Sequence, residues 1–220
     1  MEWLSWLSKK ETPLLAKQLE HYLPYLAPHC GDHNTFTPDQ SRANLNYFLA
    51  HKSERINHLA NLLAHFDIDL HSHLLQGEYQ GLIQQLYQWA CSEWLTAIHT
   101  EHTTWETWRT THRQGEHILY SVAMDTSIAL GEIIISRQPT FKWALDLDPD
   151  NIKDQMPSAN RIVLAAPSHI LSDSTAIIDL EMSCASTIIN SSLAQRALNS
   201  WLKHVDDATS GLVEGTWVKE

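Results

Sequence analysis

Across the first two thirds of the chain, apolar residues recur in steps of three and four, the period of an amphipathic helix. Leu45, Leu49, Ile56, Leu59, Leu63 and Phe66 form the clearest stripe, broken only at Lys52. Thr37-Pro38-Asp39 precedes it as a start signal, a capping threonine with proline at the first helical position. Thr12-Pro13 gives the same signal for an earlier helix through Leu14, Leu15, Leu19 and Tyr22 towards Pro24, and residues 28–37 read as a loop. After a connection ending near Gly77, Leu82, Leu86, Trp89, Ala90, Trp94, Leu95 and Ile98 predict a second long helix, packed antiparallel to the first. Residues 99–112 are weakly patterned, with Trp105 and Trp108 as apolar anchors of a short helix or an ordered loop. A third helix is predicted from Glu116 through Leu119, Val122, Ile128, Leu130 and Ile133 to Ile135, stopping before Pro139.

The period then changes. Phe141-Lys142-Trp143-Ala144-Leu145-Asp146-Leu147-Asp148 alternates apolar and polar residues as a half-buried strand does, and turn-rich Pro149-Asp150-Asn151 follows. Arg161 to Pro167 fits a buried strand, Thr175 to Ile189 is ambiguous between strand and helix, and Ser192 to Val205 predicts a closing helix. The expected fold class is α+β, predominantly helical, with a helical bundle in the first two thirds and a small β-sheet with a closing helix in the last third. A single domain is expected over residues 1–220, the helical part at 1–138 and a small α+β part at 139–220 packed on it. A chain of 220 residues buries about 70% of its unfolded surface around one core, and 43% hydrophobic against 19% charged residues is globular composition.

Charge narrows the partners. Fifteen basic against twenty-six acidic residues leave a net charge of −11, which repels nucleic acid and anionic lipid, so neither is expected as a partner. A basic protein is the partner that such a surface steers towards itself. The fourteen histidines would reverse the sign on full protonation, so stability or solubility that responds between pH 5 and 8 is a further expectation. Cys30, Cys91 and Cys184 are odd in number and widely spaced, which argues against a disulfide framework and for a reducing cytoplasm. The first residues lack the features of a secretion signal, and no run of about 18 apolar residues predicts a membrane span. Trp3, Leu4, Trp6 and Leu7 are expected to dock on the protein's own core rather than on a membrane surface.

Histidine spacing raises the question of a metal. His51, His58 and His65 are seven apart, so on one helix each lies about 20° around but about 10.5 Å further along from the last. Ligand nitrogens about 2.0 to 2.1 Å from one zinc must approach each other within roughly 4 Å, which helices arrange at i and i+4. These three cannot share an ion. His71 and His73, with Asp67 or Asp69, form a looser group, and His99, Glu101 and His102 another. His112 and His117, five apart, miss the H-x-x-E-H order and face about 140° apart on a helix. No cofactor is expected; the alternative reading is a zinc-dependent hydrolase or metal-binding bundle using His51, His58, His65, His71 and His73.

Other chemistries find less support. Seven glycines include no dinucleotide or phosphate-loop motif, and Ser168, His169 and Asp173 lack the elbow of a hydrolytic serine. Asp146 and Asp148, two apart on the predicted strand and thus on one face, read with Asp150 as a solvated acidic edge. Nine tryptophans are many for this length: Trp89 and Trp94 belong to predicted core stripes, whereas Trp105, Trp108 and Trp217 lie in less patterned sequence. Aromatic anchors beside carboxylates are what a protein-binding surface uses, so Trp105, Trp108, Asp146, Asp148 and Asp150 are the predicted partner-binding residues.

The run from Asp125 through Leu130-Gly131-Glu132 to Trp143 resembles a pattern in small uncharacterised bacterial proteins, some of them linked to toxin–immunity loci. In those, a helix with Leu-Gly-Glu is followed by a strand with Trp, a second strand and a closing helix; the likeness covers residues 116–205. It implies a cytoplasmic immunity protein that neutralises a bacterial toxin, with a basic toxin domain as partner, and it carries over no catalytic residue. The residues themselves give Gly131, Glu132 and Trp143 structural roles. A glycine inside an apolar helix costs about 1 kcal/mol against alanine, so Gly131 is expected to admit a close neighbour such as Trp143, while Glu132 pairs or caps.

Overall fold

A computed structural model describes residues 12–76, 79–97, 103–167, 174–189, 199–210 and 216–219, with the side chains of residues 75, 76, 174, 175 and 216–219 left aside. The Trp3–Leu7 turn, Gly77, Ile98, the His99/Glu101/His102 group, Ser168 and His169 with Asp173, the start of the closing helix and the Trp217 side chain lie outside the described part. The fold is α+β and predominantly helical, as the periodicities predict.

Helices α1 (Leu14–Leu19), α2 (Pro38–Ala64), α3 (Leu70–Gln76), α4 (Tyr79–Glu93), α5 (Trp105–Thr110) and α6 (Leu119–Arg137) make up the helical part. Strand β1 (Lys142–Leu145), helix α7 (Pro149–Lys153), strands β2 (Ile162–Pro167) and β3 (Ser174–Ile178), helices α8 (Leu180–Ile189) and α9 (Ser200–Thr209), and strand β4 (Thr216–Lys219) follow. The four strands pair antiparallel in chain order. Trp143 lies opposite Leu164, and Leu164 opposite Ile178.

Helix α6 organises the molecule. Every residue from Leu119 to Ile134 is buried except Glu132, which is half-buried. A helix apolar all round needs cover on every side, and α2, α8 and α9 supply it. The core runs without a break from Leu15 and Leu63 through Trp94 and Leu130 to Leu164, Ile178 and Trp201, joining helical part and sheet.

Three predictions need correction. The second long helix is α4, which ends at Glu93 and passes into a single tighter turn at Trp94–Thr96, while α3 forms in the predicted connection before it; α4 packs on α9 and α2 chiefly on α6, so the expected antiparallel pair of α2 and α4 is not a main contact. The ambiguous span 175–189 is both things in turn, β3 and then α8. The stripe of α2 is as predicted at Leu59 and Leu63, both fully buried, but lies one position off in the first half of the helix, where Leu49 is 43% exposed and Phe48 fully buried. Ser41, Asn44 and Arg55 also face inwards, and the last two meet polar partners there, Asn44 the His29 backbone and Arg55 the Asp125 carboxylate. Lys52, the apparent break, points the same way and binds Glu132 of α6 at 2.6 Å. The start of α2 is as predicted, with Thr37 accepting from the Gln40 N–H and the Gln40 side chain accepting from the Thr37 N–H.

Candidate functional site

The residues singled out for partner binding converge on one region, though not in the arrangement predicted. Strand β1 ends at Leu145, so Asp146 and Asp148 do not share a strand face; they open a 16-residue excursion that returns at β2. Asp146 is 2% exposed. Its carboxylate accepts from Asn151 Nδ2 at 2.8 Å, from Ser158 Oγ at 2.6 Å and from the Asp148 N–H at 3.3 Å. Its backbone closes the neck, donating to the Arg161 carbonyl at 3.0 Å and accepting from the Asn160 N–H at 2.8 Å. Asp146 is therefore an internal brace and not part of a solvated edge. A carboxylate with this many donors is well satisfied out of water, whereas an apolar residue there would strand Asn151 and Ser158.

The brace fixes what the excursion shows to solvent. Asp148 is half-buried and caps α7, accepting from the N–H groups of Asp150 and Asn151, with Pro149 at the first helical position. Gln155 and Asn160 take the left-handed conformation, φ 52° and 60°, and let the chain turn back within a few residues. Leu147 and Ile152, each 39% exposed, then stand on the outside with Asp150 and Asp154. Of the three predicted acidic contacts, only Asp150 is fully presented. The sequence reading missed both: the alternating pattern assigns Leu147 to the core, and Ile152 follows the turn-rich Pro149-Asp150-Asn151, where no pattern marked it.

The two tryptophans part ways. Trp108 is 2% exposed, which removes it from any surface: its Nε1 donates to Glu181 at 3.1 Å and the Arg161 guanidinium lies 4.1 Å from its ring. Trp105 is half-buried, edge-on to Trp108 at 5.5 Å. It lines a cleft of about 490 Å³ together with Met156, Pro157, Ile177, Met182 and His204. Met156 and Pro157 belong to the excursion, so cleft and loop form one continuous surface.

The motif Gly131–Glu132–Trp143 joins the two parts of the fold. A Cβ on Gly131 would lie 2.1 Å from Trp143 Cζ2, so only glycine lets the indole lie on α6. Trp143 Nε1 donates to Glu132 at 2.8 Å, and Lys52 completes that carboxylate from α2. About two turns earlier on α6, Asp125 is fully buried, and Arg55 grips it with Nε at 2.8 Å and with Nη2 while the Tyr22 hydroxyl donates to it. Burial pushes the Asp125 carboxyl upwards and Arg55 and Tyr22 pull it back, while burial, then Asp125, raises the Tyr22 hydroxyl. The signal for this cluster was present in the sequence: an aspartate in the middle of a strongly apolar helix.

The histidines of the metal alternative do not come together. His51 bonds the Tyr47 carbonyl at 2.7 Å and stacks on its ring, His58 meets Glu54 at 3.4 Å, His65 and His71 are exposed, and His73 is half-buried. Among the described residues, no three His, Cys, Asp or Glu side chains group closely enough to hold a metal ion. Comparisons with protein-family models, with curated proteins and with solved structures find no match to this chain.

Proposed function

We propose that the protein is a protein-binding module that takes hold of a basic partner with the excursion between β1 and β2 and the cleft beside it. The partner suggested by the resemblance is a basic toxin domain, which the module neutralises by masking it, as an immunity protein does. The observation that carries the reading is the buried Asp146. Its bonds to Asn151, Ser158 and Asp148 hold Leu147, Asp150, Ile152 and Asp154 outwards on a fixed scaffold. Apolar anchors rimmed by carboxylates, ordered before binding, lose less entropy on association than a mobile loop of the same composition. Trp105 at the cleft adds an aromatic of the kind enriched at interface centres. The net charge of −11 adds long-range attraction for a basic surface.

The test uses the full chain as bait in an extract of the source cells at low salt, with bound species and metal identified together by native mass spectrometry. The expected outcome is a basic protein in stoichiometric amount. Its association with the Asp150→Lys/Asp154→Lys variant should be about tenfold slower, a difference that vanishes at high salt. A bare chain carrying zinc, or an association rate indifferent to the two substitutions, refutes the reading.

A further inference from the structure

Inside the fold, where the segment before α2 meets α5, β2 and α8, lies a cavity of about 60 Å³ whose walls include Tyr25, His33, Trp108, Arg113, Arg161 and Glu181. Arg161 is 2% exposed; its Nε donates to Asp179 at 2.7 Å and its Nη2 to Glu181 at 3.1 Å. Arg113 pairs with the same Glu181. These bonds account for one side of each guanidinium only. Nη1 of Arg113, Nη1 of Arg161, the Tyr25 hydroxyl and Nδ1 of His33 are all shut off from solvent and have no hydrogen-bond partner. Four such atoms around one small space call for a partner that fills it, since buried polar groups in native folds are partnered by protein, water or an ion.

The chemistry of the guest follows from the four atoms. Guanidinium nitrogens only donate, and the hydroxyl and the imidazole can both do so, so the complementary guest is an acceptor. Burial, then Arg161, Arg113 and Arg109, pushes His33 down to about 2, so its ring is neutral and keeps one N–H to give. Tyr25 lines the cavity with its hydroxyl buried and unpartnered, and the Arg113 guanidinium lies 5.5 Å from its ring centre. Arg109, Arg113 and Arg161 against Asp179 and Glu181 leave one positive charge in excess, within a chain that is otherwise strongly acidic. A water needs about 10–15 Å³ of such space, so the cavity takes a few waters or the head of one small oxyanion. Exposed Cys30 and His112 line it too, which gives it a mouth.

We propose that this cavity binds a small carboxylate carrying one negative charge, seated between the Nη1 groups of Arg113 and Arg161 and the Tyr25 hydroxyl. The site stands apart from the acidic loop and does not depend on what that loop binds. The informative variant is Tyr25→Phe, because the hydroxyl it removes bonds to nothing in the protein and the ring stays in place. Calorimetric titrations of the full chain and of this variant use acetate, inorganic phosphate, and a short acetylated peptide with a free or an amidated C-terminus. Saturable acetate binding is expected, about tenfold weaker in Tyr25→Phe, equivalent to about 1.4 kcal/mol. The variant should melt no lower than the parent in the absence of acetate. A free-acid peptide that binds more tightly than acetate, with its amide inert, identifies the carboxylate as one carried by another chain; acetate at least as tight identifies a free small molecule. Absence of saturable binding, equal affinity in Tyr25→Phe, or preference for phosphate overturns the proposal.

Discussion

Replacing Gly131 by alanine tests how α6 and the sheet are joined. The new methyl would lie 2.1, 2.5 and 3.0 Å from three atoms of the Trp143 indole, far inside van der Waals contact. The ring is fixed on its other sides, edge-on to Phe48 at 4.8 Å and bonded through Nε1 to Glu132 at 2.8 Å. It must therefore move and give up that bond. Overpacking of a filled core costs about 1–3 kcal/mol, and losing a hydrogen bond to a carboxylate about 1.5–3 kcal/mol. Alanine returns about 1 kcal/mol of helix propensity. The net expectation is a destabilisation of about 1.5–5 kcal/mol, which for a chain of this length lowers the melting temperature by roughly 3 to 20 °C. Thermal melts should be collected for Gly131→Ala, Trp143→Leu and the double variant. Trp143→Leu destabilises by itself, but adding Gly131→Ala to it should cost nothing or restore up to about 1 kcal/mol, since the methyl then meets no indole. The reasoning is refuted if alanine is as costly in the leucine background as in the parent.

Other parts of the structure give further expectations. Asp125→Asn leaves the buried Arg55 guanidinium without its countercharge and should cost about 3–5 kcal/mol in urea unfolding; a cost below 1 kcal/mol would show the pair to be solvated. Asp146→Ala should loosen the excursion more than the fold, with faster amide exchange at Asn151 and Asn160 and weaker partner binding, whereas Asp150→Ala should leave exchange unchanged. Acid should destabilise through His33, held at about 2 against 6.5 when unfolded, and through His204, which burial also lowers. Below pH 6.5 the unfolded chain takes up protons that the folded one refuses, so stability is full above that pH and falls beneath it. His33 alone contributes at most about 1.4 kcal/mol per pH unit, or about 2 kcal/mol by pH 5. Urea titrations at pH 7 and pH 5 measure this, and a His33→Gln variant with an undiminished slope would contradict it.

The helices were readable where one physical demand shaped the pattern. Helix α6 is mostly apolar because nearly every side of it is covered, and Thr37-Pro38 with Gln40 writes the start of α2. Gly131 was readable for a related reason: a glycine inside a strong helix has a cost that only a close neighbour explains. Misreadings arose where a polar side chain faces inwards. Lys52 looked like a break because its partner Glu132 lies eighty residues further on. Asp146 looked solvated because the donors that hold it, Asn151 and Ser158, become neighbours only when the chain doubles back. Trp108 looked available because nothing local marks Arg161 and Glu181 as its cover. The arginine-lined cavity was invisible for the same reason, since its walls come from stretches far apart in the chain, around Tyr25–His33, Trp108–Arg113, Arg161 and Glu181 among others. That His51 and His58 fall on one long helix with His65 at its C-terminal end was, by contrast, legible from the periodicity alone.

The central claim is that the Asp146-braced excursion is the surface that meets a partner. Hydrogen exchange of the full chain, measured by mass spectrometry with and without the captured protein, tests it most directly. Slowed exchange confined to peptides spanning residues 147–157 and Trp105 is the predicted result. Unchanged exchange there, with protection elsewhere on the surface, would contradict the account.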